Sequence, residues 1–278
     1  MAQQGVASSL LRLPRRDLAR RRVATRRDPT RLERRVLGTS GIVLVLGIWQ
    51  VLASAGVIDQ LTASSPSRIA TAAKDLAQAG TLWSAMGSSA KLFGIGFGIS
   101  LVGGLLLGLL LGWYKRVEAV LDPWVSILYA TPRLALLPLI TVWFGIGLKA
   151  QVVVVVLIAI FPIIINTASG VATIDRDHLR VARSFLATNT DVLRTVALPG
   201  ATPAVVAGIR QGLMQTLIGV VVAEYLFGNT GIGGMIFTAG LSLQTGQAFV
   251  GALVFAIAAL ILSAALRLLE RRLDRWRV

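Results

Sequence analysis

Six apolar runs, each close to the roughly 20 residues that a helix needs to cross the hydrocarbon core, dominate this chain. They occupy residues 41–58, 92–114, 120–146, 150–170, 204–227 and 248–266. Inside lipid every backbone N–H and carbonyl must be satisfied by the chain itself, so runs of this length commit it to helices. The expected fold is therefore an all-α integral membrane protein with six transmembrane helices. Composition agrees: 15% of the 278 residues are charged, against roughly 25% in soluble domains, and mean hydropathy is +0.73. The chain has no cysteine, which excludes disulfides and thiolate metal sites, and its single histidine, His178, argues against a His-based metal centre. No cofactor motif is present.

The net charge of +15 is unevenly placed. Residues 12–35 hold eleven arginines and residues 267–277 hold five. With the N-terminus inside, the inner segments 1–40, 115–119, 171–203 and 267–278 carry 22 of the 28 Lys and Arg residues. The outer segments carry only Arg68, Lys74, Lys91 and Lys149. Lysine and arginine flanking apolar spans stay on the cytoplasmic side, so both termini are expected there. Nucleic acid is not an expected partner, because basic and aromatic residues are not interleaved. Residues 1–38 read as a flexible basic tail lying near anionic lipid headgroups. The arginines, the first apolar run and the triplet 53–55 imitate a cleavable signal peptide, but the polar leader of about 40 residues exceeds a whole signal of about 15–30.

In the second run Gly96, Ser100, Gly104, Gly108 and Gly112 recur at every fourth position. On a helix they form one small-residue stripe, which lets another helix approach closely, either within the chain or across a subunit seam. Pro132 and Pro138 interrupt the third run and Pro162 the fourth, and such kinks tend to face protein or a cavity.

The inner segment 171–203 is too patterned for a plain loop. Asp175 is placed to cap a helix starting near Arg176, and Leu179, Ala182, Phe185 and Leu186 share one face at helical spacing. Asn189 or Thr190 is expected to cap a second turn, which Leu198 and Pro199 end, because the residue before proline leaves helical geometry. Pro203 then starts the fifth span. An amphipathic helix on the inner face needs a cover: membrane surface, other loops or a partner protein.

This segment resembles the coupling loop of the permease subunits of binding-protein-dependent ABC importers. The glutamate-alanine-alanine triplet of that family matches Arg180, Val181 and Ala182, its glycine matches Leu186, and its closing leucine-proline pair matches Leu198 and Pro199. The wider chain, from about residue 41 to its end, is similar to the nitrate/sulfonate/taurine-type branch. Blocks carrying the likeness include SSPSRI (64–69), DPWVSILYATPRLALLPLITVWFGIG (122–147), FPIIINTASGVATID (161–175), VVAEYLFGNTGIGGMI (221–236) and LRLLERRLDRWRV (266–278). The resemblance implies a type I importer permease: residues 39–278 as a six-helix domain with the coupling loop at 171–203, forming a homodimer in a bacterial inner membrane. It implies two copies of an ATP-binding subunit docked on Leu179, Arg180, Val181, Ala182, Arg183, Phe185 and Leu186, and an extracytoplasmic substrate-binding protein. The cargo it implies is a small sulfonate, nitrate or taurine-like solute, or a heterocycle. The chain has no GxxxxGK[ST], so ATP chemistry is expected on the partner. Two departures stand out: Arg180 reverses the family's acidic charge, and Leu186 lacks the backbone freedom of glycine.

Arg133, Arg210 and Glu224 fall within spans, where an ionisable group normally faces a cavity or a partner. Arg133 reads either as attraction for an anionic cargo or as an ion-pairing or carbonyl-capping group beside Pro132. Arg210 reads as structural, snorkelling inward. Gln211 and Gln215 lie one turn apart, suited to lining a path or bonding between helices. With Arg133 and Gln215, Glu224 completes the candidate translocation path; its block of resemblance implies a pathway or gating role. The glycine-rich segment 228–247 is expected to form a short helix or re-entrant turn at the outer mouth, or a surface loop. The competing reading is a stand-alone channel or secondary transporter, which often shows two similar halves; no internal duplication is visible here.

Overall fold

The computed structural model describes residues 30–59, 63–227 and 230–273, and every regular element among them is helical. The chain divides into two units, Met1–Val51 and Leu52–Val278. The described part of the first is most of helix α1 (Arg31–Ser54). Its start is fixed by a reciprocal cap: Glu33 N–H donates to Thr30 Oγ1 at 3.2 Å, and Thr30 N–H donates to Glu33 Oε2 at 2.6 Å. The helix thus begins ten residues before the first apolar run, inside the segment read as a tail; residues 1–29 lie outside the described residues.

The second unit opens with α2 (Pro66–Gln78), capped by Ser65 and started by proline at its first turn. Then come α3 (Thr81–Trp113), α4 (Lys115–Ala130), a 3-10 turn (Arg133–Leu136), α5 (Leu137–Phe144) and α6 (Leu148–Ala172). On the far side of α6 lie α7 (Arg176–Ser184), α8 (Asn189–Val192), a wide π turn (Leu193–Ala197) and α9 (Leu198–Phe227). The short α10 (Gly231–Leu241) and the long α11 (Thr245–Leu273) complete it.

The core of this unit is a three-helix stack with α6 in the middle. The small-residue stripe of α3 meets α6, so the partner left open by the sequence lies in the same chain. A Cβ at Gly104 would sit 2.7 Å from Ile163 Cβ, at Gly108 2.6 Å from Thr167 Cβ, and at Gly112 2.6 Å from Ala168 O. A second stripe, on α9, does the same from the other side: Gly208 faces Asn166, Gly212 faces Ile163, and Gly219 lies on Val155. In lipid, apolar contact alone gives no preference for one helix over a fatty chain, so association rests on such close backbone approach. Leu92, Val155, Ile158, Val220 and Ala223 form the buried core at one end of the stack.

These contacts fix the direction of each helix. Gly96 lies on Val155 and Gly112 on Val171, so α3 and α6 run parallel. The chain leaving α3 at Trp113 must therefore recross the membrane before entering α6 at Leu148, and α4 with α5 makes that crossing. It is not a kinked rod over 120–146 as expected: its halves meet at 92° across Thr131 and Pro132. Pro132 breaks the helix, whereas Pro138 does not interrupt it; it sits in the first turn of α5, where its missing N–H costs nothing. The second span also begins at Thr81 rather than residue 92. Pro162 leaves α6 continuous, and Asn166 Nδ2 donates to Pro162 O at 2.7 Å and to Gln211 Oε1 at 3.3 Å, tying α6 to α9.

Candidate functional site

The residues singled out from the sequence lie in three places: the segment after α6, the break between α4 and α5, and helix α9 with its contacts to α3, α10 and α11.

In the inner segment Asp175 caps α7 as expected, its Oδ1 accepting from Asp177 N–H at 2.8 Å. The side chains of Arg176, Leu179 and Arg183 lie outside the described residues. Arg180 is exposed and donates to Asp177 Oδ1 at 3.2 Å, a solvated pair of small energetic weight. Ala182 is half-buried and, with Val181, Asp175 and His178, lines an open cleft of about 620 Å³ between α7, the end of α6 and the wide turn. Phe185 and Leu186 do not continue the helical face. They form the turn that ends α7, with their side chains 82% and 92% exposed.

That turn explains the family's glycine. Ala187 N–H donates back to Ala182 O at 3.3 Å, and Leu186 between them has φ +60°. This is a Schellman cap, whose left-handed residue is usually glycine because a Cβ is penalised there. Leu186 thus stands at a left-handed position that glycine usually fills, and carries the strain. Leu186→Gly is expected to stabilise the turn by about 0.5–1 kcal/mol, the left-handed penalty less the extra chain entropy of glycine. Amide exchange in α7 should slow by about 2–5-fold; unchanged or faster exchange would contradict the assignment.

The second turn is capped by Thr188, not by Asn189 or Thr190. Its Oγ1 accepts from Asp191 N–H at 3.3 Å, and Asp191 Oδ2 accepts from Thr188 N–H at 3.0 Å. Leu198 and Pro199 do not end a helix either. Leu198 keeps helical angles and its N–H reaches back five residues to Leu193 O. This π turn admits a proline that an ordinary turn would reject, and the helix runs on into α9 with Pro203 in its interior. The loop's last two site residues thus belong to the first turn of a long membrane helix.

At the break in the third crossing, the Arg133 guanidinium lies 5.1 Å from the Tyr129 ring centroid and 5.7 Å from that of Phe161, and donates to Tyr129 O at 3.3 Å. Phe161 is near the middle of α6, so the cation lies beside the midpoint of that helix. Its Nε is buried with no partner among the described residues, leaving donor capacity unused. Two aromatic faces stabilise the charge without neutralising it. Gln215 is half-buried on α9. Arg210 makes a two-pronged ion pair with Glu270 on α11, Nε to Oε1 at 3.0 Å with a second contact from its terminal nitrogen to Oε2, so it ties two helices together.

Glu224 is enclosed by protein. It is 1% exposed, and its Oε2 accepts from Ser89 Oγ and from Gly233 N–H, both at 2.8 Å. Sequence reasoning missed Ser89, which stands 135 positions away, and gave the glycines of 228–247 no bond to it.

Five long apolar helices, a further span broken at Thr131 and Pro132, and a turn that exposes Phe185 and Leu186 give the chain the form of a multi-pass membrane protein. The chain belongs to the binding-protein-dependent transport system inner membrane component family, which matches residues 104–277. It is 34% identical over 257 residues to the putative aliphatic sulfonates transport permease protein SsuC of Bacillus subtilis (strain 168), covering 91% of this chain and 92% of that one. It is 31% identical over 247 residues to the taurine transport system permease protein TauC of Escherichia coli (strain K12), covering 86% and 89%. Its fold matches a chain of the MetNI methionine ABC transporter in an inward-facing conformation, with TM-score 0.59 at 20% identity over 67% of this chain and 93% of that one. The chain is thus the multi-pass permease subunit of an ABC importer in an inner membrane.

Proposed function

We propose that two copies of this chain form one pathway for a small solute bearing an anionic group, of the sulfonate, nitrate or taurine kind. Each copy is worked from the inner face by one ATP-binding subunit, and a binding protein delivers cargo outside. The basic tail and the α7 segment lie inside, as the distribution of arginines favours. ATP hydrolysis belongs to the partner, since the chain carries no P-loop motif. Docking is assigned to Phe185, Leu186 and Val181, large apolar side chains left in water at the inner face. Selection by charge is assigned to Arg133, and the observation that carries it is the cation at the break, bonded only weakly to Tyr129 O and lying beside a pair of touching rings. An anion passing the break gains a charge-assisted bond there, while a neutral heterocycle does not.

The test is Arg133→Ala in the assembled importer, with uptake of an alkanesulfonate and of an uncharged heterocycle of similar size. Loss of one charged hydrogen bond, about 1.5–3 kcal/mol, should cut sulfonate uptake roughly 10–100-fold and leave the neutral solute within about twofold. Equal loss for both would make Arg133 a structural brace of the break.

A further inference from the structure

The short helix α10 poses a physical problem. With 11 residues it reaches about 16 Å and cannot cross the membrane. Its surface is apolar, and an apolar helix gains little by leaving lipid for a bundle. Close backbone approach contributes, as where Gly251 of α11 lies on Ile236, and a polar contact adds to it.

That contact is at its N-terminal end. Ile232 N–H donates to Ser89 Oγ at 2.9 Å, Ser89 Oγ donates to Glu224 Oε2 at 2.8 Å, and Gly233 N–H donates to the same oxygen at 2.8 Å. One serine of α3 and one carboxylate of α9 thus satisfy two backbone donors at the start of α10, where the helix dipole favours negative charge. The fit leaves no slack. Gly231 has φ +78°, and a Cβ there would overlap the Glu224 carboxylate; a Cβ on Gly233 would lie 2.7 Å from Glu224 Cβ and 2.9 Å from Val221 O. Beside this contact lies a half-open apolar pocket of about 310 Å³, lined by Ser89, Phe93, Val220, Ile232 and Phe255.

We propose that Ser89 and Glu224 are positioning residues that latch α10 against α3 and α9, and that α10 parts from the bundle when the carboxylate loses these donors. Among the described residues the latch is a polar contact in a largely apolar setting, so breaking it is expected to loosen α10 while the stack around α6 stays folded. The inference goes beyond the transport reading and needs neither cargo nor ATPase for its test.

The chain has no native cysteine, so single reporters are clean. Ala239→Cys reports on α10, where the residue is 3% exposed, and Ala150→Cys reports on α6, where it is 0% exposed. Each is placed in three backgrounds, Glu224→Gln, Ser89→Ala and Gly233→Ala, which attack the latch from α9, α3 and α10. The purified chain in lipid nanodiscs is treated with a membrane-impermeant maleimide. Labelling at position 239 should rise at least tenfold in every background, with position 150 unchanged within twofold. Unchanged labelling at 239 would overturn the latch, and so would an equal rise at both positions, which marks general loosening. If one background is not recovered from membranes, the other two decide.

Discussion

Phe185→Ala is expected to weaken binding of the ATP-binding subunit by about 30-fold or more and to stop ATP-driven uptake, while the permease itself accumulates normally. The two halves of this expectation have one cause. Phe185 is 82% exposed, so truncating it removes almost no contact from the permease fold. An aromatic ring presented on an exposed turn is the kind of anchor that dominates a protein interface, where truncation costs about 2 kcal/mol or more. Pull-down of the ATPase with detergent-solubilised permease measures the affinity, and heat-induced aggregation of the permease alone measures its stability. Trp83→Ala is the control, since it removes a ring also largely exposed, at 62%, but on α3 far along the chain from the inner segment. Intact ATPase binding by the Phe185 variant would move the docking surface elsewhere.

The second large effect lies in the membrane. Gly108→Val is expected to cost about 3 kcal/mol, the upper part of the range for overpacking, and to deplete the folded permease from membranes. The added Cβ would meet Thr167 Cβ at 2.6 Å and Ile164 O at 2.8 Å, and a backbone carbonyl cannot rotate away as a side-chain tip can. Gly98→Val on the same helix meets nothing within 4 Å and should leave protein levels within about twofold. Equal levels for the two variants would mean that α3 and α6 are not pressed together along this stripe.

The α3 stripe was legible because small residues at every fourth position put bare backbone along one side of a helix, and that surface suits a second helix better than it suits lipid. Its partner was not legible, because neither Val155 nor Thr167 differs in type from residues facing lipid. The matching stripe on α9 was overlooked for a related reason: Gly208, Gly212 and Gly219 are not equally spaced, and α6 absorbs the irregularity with side chains of different size. The expectation that proline interrupts a helix holds at Pro132 but not at Pro138 or Pro162, and the rule that the preceding residue leaves helical geometry fails at Pro199, where a wider hydrogen-bonded turn makes room. The cap of α7 was readable in Asp175. The strained Leu186 was readable only through the family's glycine, since no local pattern marks a left-handed leucine. Glu224 was found as a charge within a span, but its surroundings depend on Ser89 and on two backbone amides of α10, which no spacing along the chain reveals.

The π turn between Leu193 and Ala197 joins the inner segment to α9 by a winding that holds one residue more than a regular helix does. Tightening that winding to the usual pitch would screw everything before it through about 100° around the axis and displace it by about 1.5 Å. The joint between the inner segment and α9 thus stands one hydrogen-bond register away from a regular helix.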